Sequence, residues 1–276
     1  MRVARPPRDV VVASGPDALS YLQSLVSADL EGLADGDSVH SLLLTPQGKL
    51  DGEFFLVRRG DDAWLVCEGG FGERLVESLS RFKIRVKVEL SVDSSLSVVA
   101  LRGPGSVDAA ASVEGVAVIP VGWGGEEAVD VVGDSQALDQ AMPPTSMSDD
   151  EYETARIAAG VPRMGADLDE KTIPQEAMLD VDAVSFTKGC FLGQELVCRI
   201  DTRGHVNKHL RRLHATEAVP GPGAEIVAGD KTVGTVTSTA GEWALGYVRR
   251  EVEPPAEVAV RGNGAEVSAT VEAITR

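Results

Sequence analysis

Cysteine is scarce in this chain of 276 residues. Cys67, Cys190 and Cys198 are the only three, too few for a disulfide framework, and they fit a reducing compartment. Long apolar runs are missing too: the hydrophobic fraction is 43%, yet no stretch is long enough to span a membrane. The basic opening Met1-Arg2-Val3-Ala4-Arg5-Pro6-Pro7-Arg8 meets no apolar segment of the signal-peptide kind before the break at Gly15-Pro16. A soluble, cytoplasmic protein with no membrane partner is expected. Positive charge is in deficit, 26 Lys and Arg against 43 Asp and Glu. The net charge of −17 argues against direct nucleic-acid binding. A nucleotide-type glycine fingerprint is absent as well. Gly122-Trp123-Gly124-Gly125 runs into Glu126-Glu127, which would repel a phosphate. His205 and His209 stand four apart, but Gly204 and the strand-like Leu210–Ala215 argue against a helix beneath them. With Cys190 and Cys198 they lack the close pairs of a structural zinc site, so no metal site is expected.

What is present concentrates in one run, Thr187-Lys188-Gly189-Cys190-Phe191-Leu192-Gly193-Gln194-Glu195-Leu196-Val197-Cys198-Arg199. Its glycines suggest tight backbone geometry before a helix. A helix starting near Phe191 would put Glu195 near the positive end of its dipole. It would also set Cys190 at its mouth, where backbone N–H groups and Lys188 favour a thiolate. The other reading is a buried structural cysteine at a strand-to-helix joint.

The run resembles the signature of the YgfZ-type folate-binding proteins, relatives of the glycine-cleavage T-protein (aminomethyltransferase). That signature, Lys-Gly-Cys-aromatic-x-Gly-Gln-Glu-x-x-x-Arg, is met by Lys188, Gly189, Cys190, Phe191, Gly193, Gln194, Glu195 and Arg199. Eight specified positions in one ungapped run make it a specific match.

Along the chain, Val10–Ala13 reads as a strand, and Ser14-Gly15-Pro16-Asp17 as the turn into a helix with Leu19, Leu22, Leu25 and Val26 on one face. Strands are expected at Ser41–Leu44 and Gly52–Val57 around the turn Thr45-Pro46-Gln47-Gly48-Lys49, a turn that recurs in YgfZ-like proteins. Ala63–Cys67 is a further strand, Phe71–Phe82 a helix, and Arg85–Leu90 and Ser97–Leu101 strands. In T-proteins the strand equivalent to Trp64–Cys67 leads to an Asn-rich turn and an Asp thought to act in methylene transfer. Here Arg74 falls at its place, so that machinery is expected to be incomplete. Short strands and helices alternate up to Met142, and Ser148-Asp149-Asp150-Glu151 carries a helix-capping pattern. Arg156, Ala159, Gly160, Gly165, Asp167, Leu168, Asp169, Pro174 and Glu176 resemble the T-protein segment that follows, with Ala158 in place of its Glu. The run from Arg199 to Arg212 adds Arg203, Lys208 and Arg211. It reads either as a solvated basic face or as a grip for a folate's glutamate tail or a phosphate. Regularly spaced strands from Glu225 to Ala273 suggest a small barrel.

The pattern therefore argues for an α+β fold. The resemblance implies the T-protein arrangement: a discontinuous core of residues 1–82 and 148–205, an α/β sandwich subdomain at 83–147, and a C-terminal β-barrel at 206–276. It further implies a protein that binds tetrahydrofolate and supports iron–sulfur enzymes, including tRNA-modifying ones. Its partners would be folate and iron–sulfur proteins or their assembly factors. Cys190 and Lys188 are the candidate reactive pair. Glu176, Gln194, Glu195, Arg199 and Arg203 are the candidate folate contacts, Glu176 holding the donor edge of the pterin. Two alternatives stay open: a folate-dependent one-carbon transferase, and a non-catalytic scaffold for iron–sulfur assembly partners.

Overall fold

The computed structural model describes residues 1–275. It opens with β1 (Arg2–Ala4), β2 (Arg8–Ser14), α1 (Ala18–Gln23), β3 (Ser38–Leu44), β4 (Leu50–Arg59), β5 (Asp62–Glu68), α2 (Gly72–Ser80) and β6 (Glu89–Val92). Five of these strands form an antiparallel sheet in the order β3-β4-β5-β2-β6. Because side chains alternate across a strand, both faces are apolar and both are covered. Val11, Phe54, Leu56 and Leu65 pack under Leu22, Leu75 and Leu79 of the two helices. Val10, Val57 and Val66 on the other face meet Val98, Ala117, Ile119 and Val132 of a second sheet.

That second sheet is built from β7 (Leu96–Arg102), α3 (Ser106–Ala111), β8 (Ala117–Pro120), β9 (Ala128–Asp134) and α4 (Ser135–Ala141), with strand order β1-β7-β9-β8. The boundary expected at residue 82 is crossed twice: β1 joins the second sheet and β6 edges the first. The strand expected over Arg85–Leu90 starts only at Glu89. Arg85 takes a positive φ of 57°, and the Asp17 carboxylate accepts from Lys87 N at 2.8 Å, pinning this stretch as a turn. Gly15 makes the pinning possible, since a Cβ there would lie 2.4 Å from the Lys87 carbonyl oxygen.

The capping pattern at Ser148 holds. The Ser148 hydroxyl and the Glu151 carboxylate cap each other's backbone N–H groups at the start of α5 (Asp149–Ala158), and the chain turns at Gly160, φ 76°. A 3-10 turn (Pro174–Ala177), α6 (Asp180–Ala183) and α7 (Gln194–Arg203) follow. The chain ends in β10 (Lys208–Ala215), β11 (Glu225–Ala228), β12 (Lys231–Ala240), β13 (Trp243–Arg249), β14 (Ala256–Gly262) and β15 (Ala265–Glu272), closed as a barrel in the order β10-β13-β12-β11-β14-β15.

Arg156 joins α5 to this barrel. Its buried guanidinium bonds Glu153, the Val161 carbonyl and Asp167, and donates to Ser238 Oγ at 3.2 Å; Ser238 in turn donates to Asp167 at 2.7 Å. No helix among the described residues is long and apolar enough to cross a membrane.

Candidate functional site

The two sheets, the segment after α5 and the end of the barrel leave a cleft between them of about 830 Å³, counting the part open to solvent. His40 on β3 stands across from Phe55 on β4, and Glu53 lies on the same face as Phe55 two residues earlier. Arg102 and Asp130 come from the second sheet, Trp123 from the β8–β9 loop, and Asp182 from α6. The pattern of the lining is buried charge held in pairs.

His40 is the centre of one such group. Nε2 lies 2.6 Å from Glu53 Oε1, and the ring stacks on Phe55 with centroids 4.5 Å apart. Asp182 Oδ2 stands 3.3 Å from Nδ1, on the other side of the ring from Glu53. Burial alone would lower the imidazole pKa, but the Asp182 and Glu53 carboxylates overcome it and hold it at about 9. His40 is therefore an imidazolium at neutral pH. Arg102 Nη2 donates to Asp130 at 2.7 Å, and its guanidinium lies 4.2 Å from the Trp123 ring centroid. Arg8 pairs with Glu68, and that pair also borders a second cavity lined by Asp149, Tyr152, Glu153 and Arg163. Cys67 beside this cleft is an unreactive thiol, since burial pushes its pKa up to about 12. Sequence reading missed this constellation, although Glu53 inside the apolar run Gly52–Val57 was a visible signal.

The signature run folds into a clasp. The helix begins at Gln194, not near Phe191, and Gly193 caps it in a left-handed conformation, φ 75°. A Cβ on Gly193 would lie 2.3 Å from the Thr45 carbonyl oxygen, and one on Gly48 would lie 2.6 Å from Leu196 Cβ. The Thr45–Lys49 turn and the signature thus dock backbone to backbone. Gln194 folds back so that its side-chain oxygen accepts from Phe191 N at 3.2 Å, and Phe191 is buried against Leu42 and Leu44.

The Lys188 ammonium is taken up by backbone carbonyls and makes no hydrogen bond to Cys190 among the described residues. It donates to the carbonyls of Gln23 (2.8 Å), Val26 (2.9 Å) and Ala28 (2.6 Å), tying the signature to the end of α1. Burial draws its pKa down to about 8, against the pull of Asp29 and Glu31. Cys190 is exposed, neither buried at a joint nor in the first turn of the helix. Cys198, on α7, lies near enough to Cys190 for the two to interact electrostatically; its own pKa is raised by burial, Asp201 and Cys190. Glu195, Arg199 and Arg203 are exposed on α7.

Glu176 is buried in the 3-10 turn, 3.8 Å from Lys208 Nζ, and burial raises its pKa against the charges of Lys208 and Lys49. It is not among the residues lining the central cleft, and neither are Cys190, Gln194 or Arg199. Arg212 of the basic run pairs with Glu272 and donates to the Ala158 carbonyl, so that part of the run holds the barrel in place.

Comparison with known proteins agrees with this anatomy. Residues 10–126 match the GCVT N-terminal domain family, and residues 207–275 the CAF17 C-terminal beta-barrel domain family. The solved aminomethyltransferase T of the glycine cleavage system from Bartonella henselae superposes with a TM-score of 0.80, covering 97% of this chain and 83% of that one at 20% identity. The fold is accordingly the aminomethyltransferase T-protein fold, mixed α and β with a closed six-stranded barrel.

The chain thus joins a match to the GCVT N-terminal domain family to a match to the CAF17-type barrel family. Its relatives include YgfZ and IBA57 proteins. The mitochondrial iron-sulfur cluster assembly factor IBA57 homolog of Mycosarcoma maydis is 30% identical over 241 residues, 80% of this chain and 59% of that protein. The tRNA-modifying protein YgfZ of Pectobacterium carotovorum subsp. carotovorum (strain PC1) is 25% identical over 209 residues, 69% of this chain and 63% of that protein. The chain thus spans about three fifths of the length of these relatives.

Proposed function

We propose that this chain is a tetrahydrofolate-binding protein that supports the assembly or repair of iron–sulfur enzymes, tRNA-modifying ones among them. The observation that carries the reading is the pairing of relatives. One kind is named for iron–sulfur cluster assembly and the other for tRNA modification, and both align along most of this chain. A cleft walled by aromatic rings and paired charges supports a small-molecule role for the same fold. Cys190 is the exposed thiol through which a partner or a reactive species is handled, held outward by the clasp beneath it. Iron–sulfur proteins or their assembly factors are the partners, and the cytoplasm is the compartment.

The test is genetic. A strain lacking the protein, complemented with the intact chain or with Cys190→Ser, is assayed for iron–sulfur enzyme activity. Restoration by the intact chain and loss with the variant supports the reading. Full restoration by Cys190→Ser removes the thiol from it, and no restoration by the intact chain removes the iron–sulfur role.

A one-carbon transferase is the second reading. Carboxylates do reach the cleft, Glu53, Glu68, Asp130 and Asp182, though none at the position of Arg74, which instead pairs with Asp51 at 3.1 Å. Glu53, Glu68 and Asp130 each lie against a cation, an arrangement suited to recognition more than to proton abstraction.

A further inference from the structure

Residues 81–87 read Arg-Phe-Lys-Ile-Arg-Val-Lys, cations alternating with apolar residues in a chain whose net charge is −17. A strand of that pattern would send Phe82, Ile84 and Val86 to one face together. The fold takes in only two of them. Phe82 and Val86 pack on the core of the first sheet, while Ile84 stands 75% exposed, the most exposed large apolar side chain among the described residues. The backbone makes the break. Ile84 N donates to Phe82 O at 3.0 Å, and Arg85 takes its φ of 57°, a left-handed conformation that is strained for a residue with a Cβ. Asp17 holds the far end of the loop at Lys87 N. The charge of the loop is also uncompensated. Arg81 pairs with Glu77, but Lys83, Arg85 and Lys87 are exposed and form no ion pair among the described residues.

What covers this loop follows from charge. Over most of its surface the chain repels an extended phosphate array, whether nucleic acid or membrane, and the loop exposes no aromatic ring on which a base could stack. A protein needs to offer only a local acidic patch with an apolar pocket. The position of the loop relates it to the signature run. Lys87 meets Asp17 just before α1, and Lys188 holds the carbonyls at the other end of that helix; six residues, about 9 Å, separate the two. We propose that residues 81–87 dock an acidic face of a protein partner, with Ile84 as the apolar anchor and Lys83, Arg85 and Lys87 as the cations that orient it. That the partner is an iron–sulfur protein or assembly factor rests on the iron–sulfur reading; that its docking face is acidic rests on the loop alone.

The test titrates the full chain into a fluorescein-labelled, glutamate-rich peptide with a central leucine pair, followed by anisotropy. The intact chain binds it, and binding weakens as salt rises. Lys83→Glu, Arg85→Glu and Lys87→Glu together weaken it by about tenfold or more. Ile84→Ser alone weakens it by about threefold to tenfold and leaves the salt dependence unchanged. Lys231→Glu, on the exposed start of β12, is the control and leaves binding as it was. No binding by the intact chain, or binding indifferent to the loop variants, overturns the proposal. Tighter binding of phosphatidylglycerol vesicles or of single-stranded RNA than of the peptide overturns it as well, as does a dimer of the intact chain that the triple variant abolishes, since each names another occupant. In the complementation strain, Lys83→Glu with Ile84→Ser lowers iron–sulfur enzyme activity while Cys190 keeps its reactivity toward a maleimide. Full restoration by that variant overturns the proposal and leaves the iron–sulfur reading standing. If the intact chain restores nothing, that reading falls, and the peptide titration still decides the loop.

Discussion

Gly48 and Gly193 meet backbone to backbone: the Gly48 Cα lies 3.3 Å from where a Cβ on Gly193 would stand. One belongs to the Thr45–Lys49 turn and the other to the signature run, 145 positions apart in the chain. Both have positive φ, 75° in each case, so the contact is set by conformation as well as by space.

Replacing Gly193 by alanine is expected to cost about 1–3 kcal/mol in denaturant unfolding, because both the left-handed backbone and the Thr45 carbonyl resist a Cβ. Gly189→Ala, with nothing within 4 Å and no positive φ, is the control and should change stability little.

Arg156→Ala leaves Asp167 buried without its cation partner, and the expected loss is about 3–5 kcal/mol. Chemical denaturation followed by both far-ultraviolet and tryptophan signals checks it. An unchanged midpoint would mean that the link between α5 and the barrel does not stabilise the molecule.

The His40 imidazolium gives stability a sign with pH. Its folded pKa, about 9, lies above the ordinary 6.5 of the unfolded chain, so its contribution is full below pH 6.5 and fades as pH rises toward 9. The groups facing it are the Glu53 and Asp182 carboxylates. Between pH 6.5 and 7.5, below the Lys188 pKa of about 8, stability should fall by about 1 kcal/mol, and the fall should vanish in His40→Gln. Unfolding titrations at a series of pH values measure this directly.

Thiol labelling separates the three cysteines. Exposed Cys190 should react with a maleimide first, partly exposed Cys198 next, and buried Cys67 only on unfolding. Lys188→Met should quicken amide exchange across residues 184–193, since the Gln23, Val26 and Ala28 carbonyls at the end of α1 and just after it lose their donor.

Much of this molecule is legible in its sequence. Alternating apolar residues mark the strands, and Ser148 with Glu151 marks the start of α5, because these signals act over a few neighbouring positions. The signature residues were visible, but their roles were not. Lys188, Gly193 and Gln194 serve the clasp because their partners at Gln23–Ala28 and Thr45–Gly48 are brought to them only by the tertiary fold. The cleft was hidden for the same reason: His40, Arg102 and Asp182 come from three distant segments, and no local pattern joins them.

The central claim is most directly tested by calorimetric titration of the purified chain with tetrahydrofolate, beside a Glu176→Ala variant. The account predicts saturable binding by the intact chain. Weaker binding by the variant would extend the ligand from the central cleft to the Glu176–Lys208 pair, and equal binding would confine it to the cleft. No binding by the intact chain would contradict the account and leave a thiol-bearing scaffold on an inherited fold.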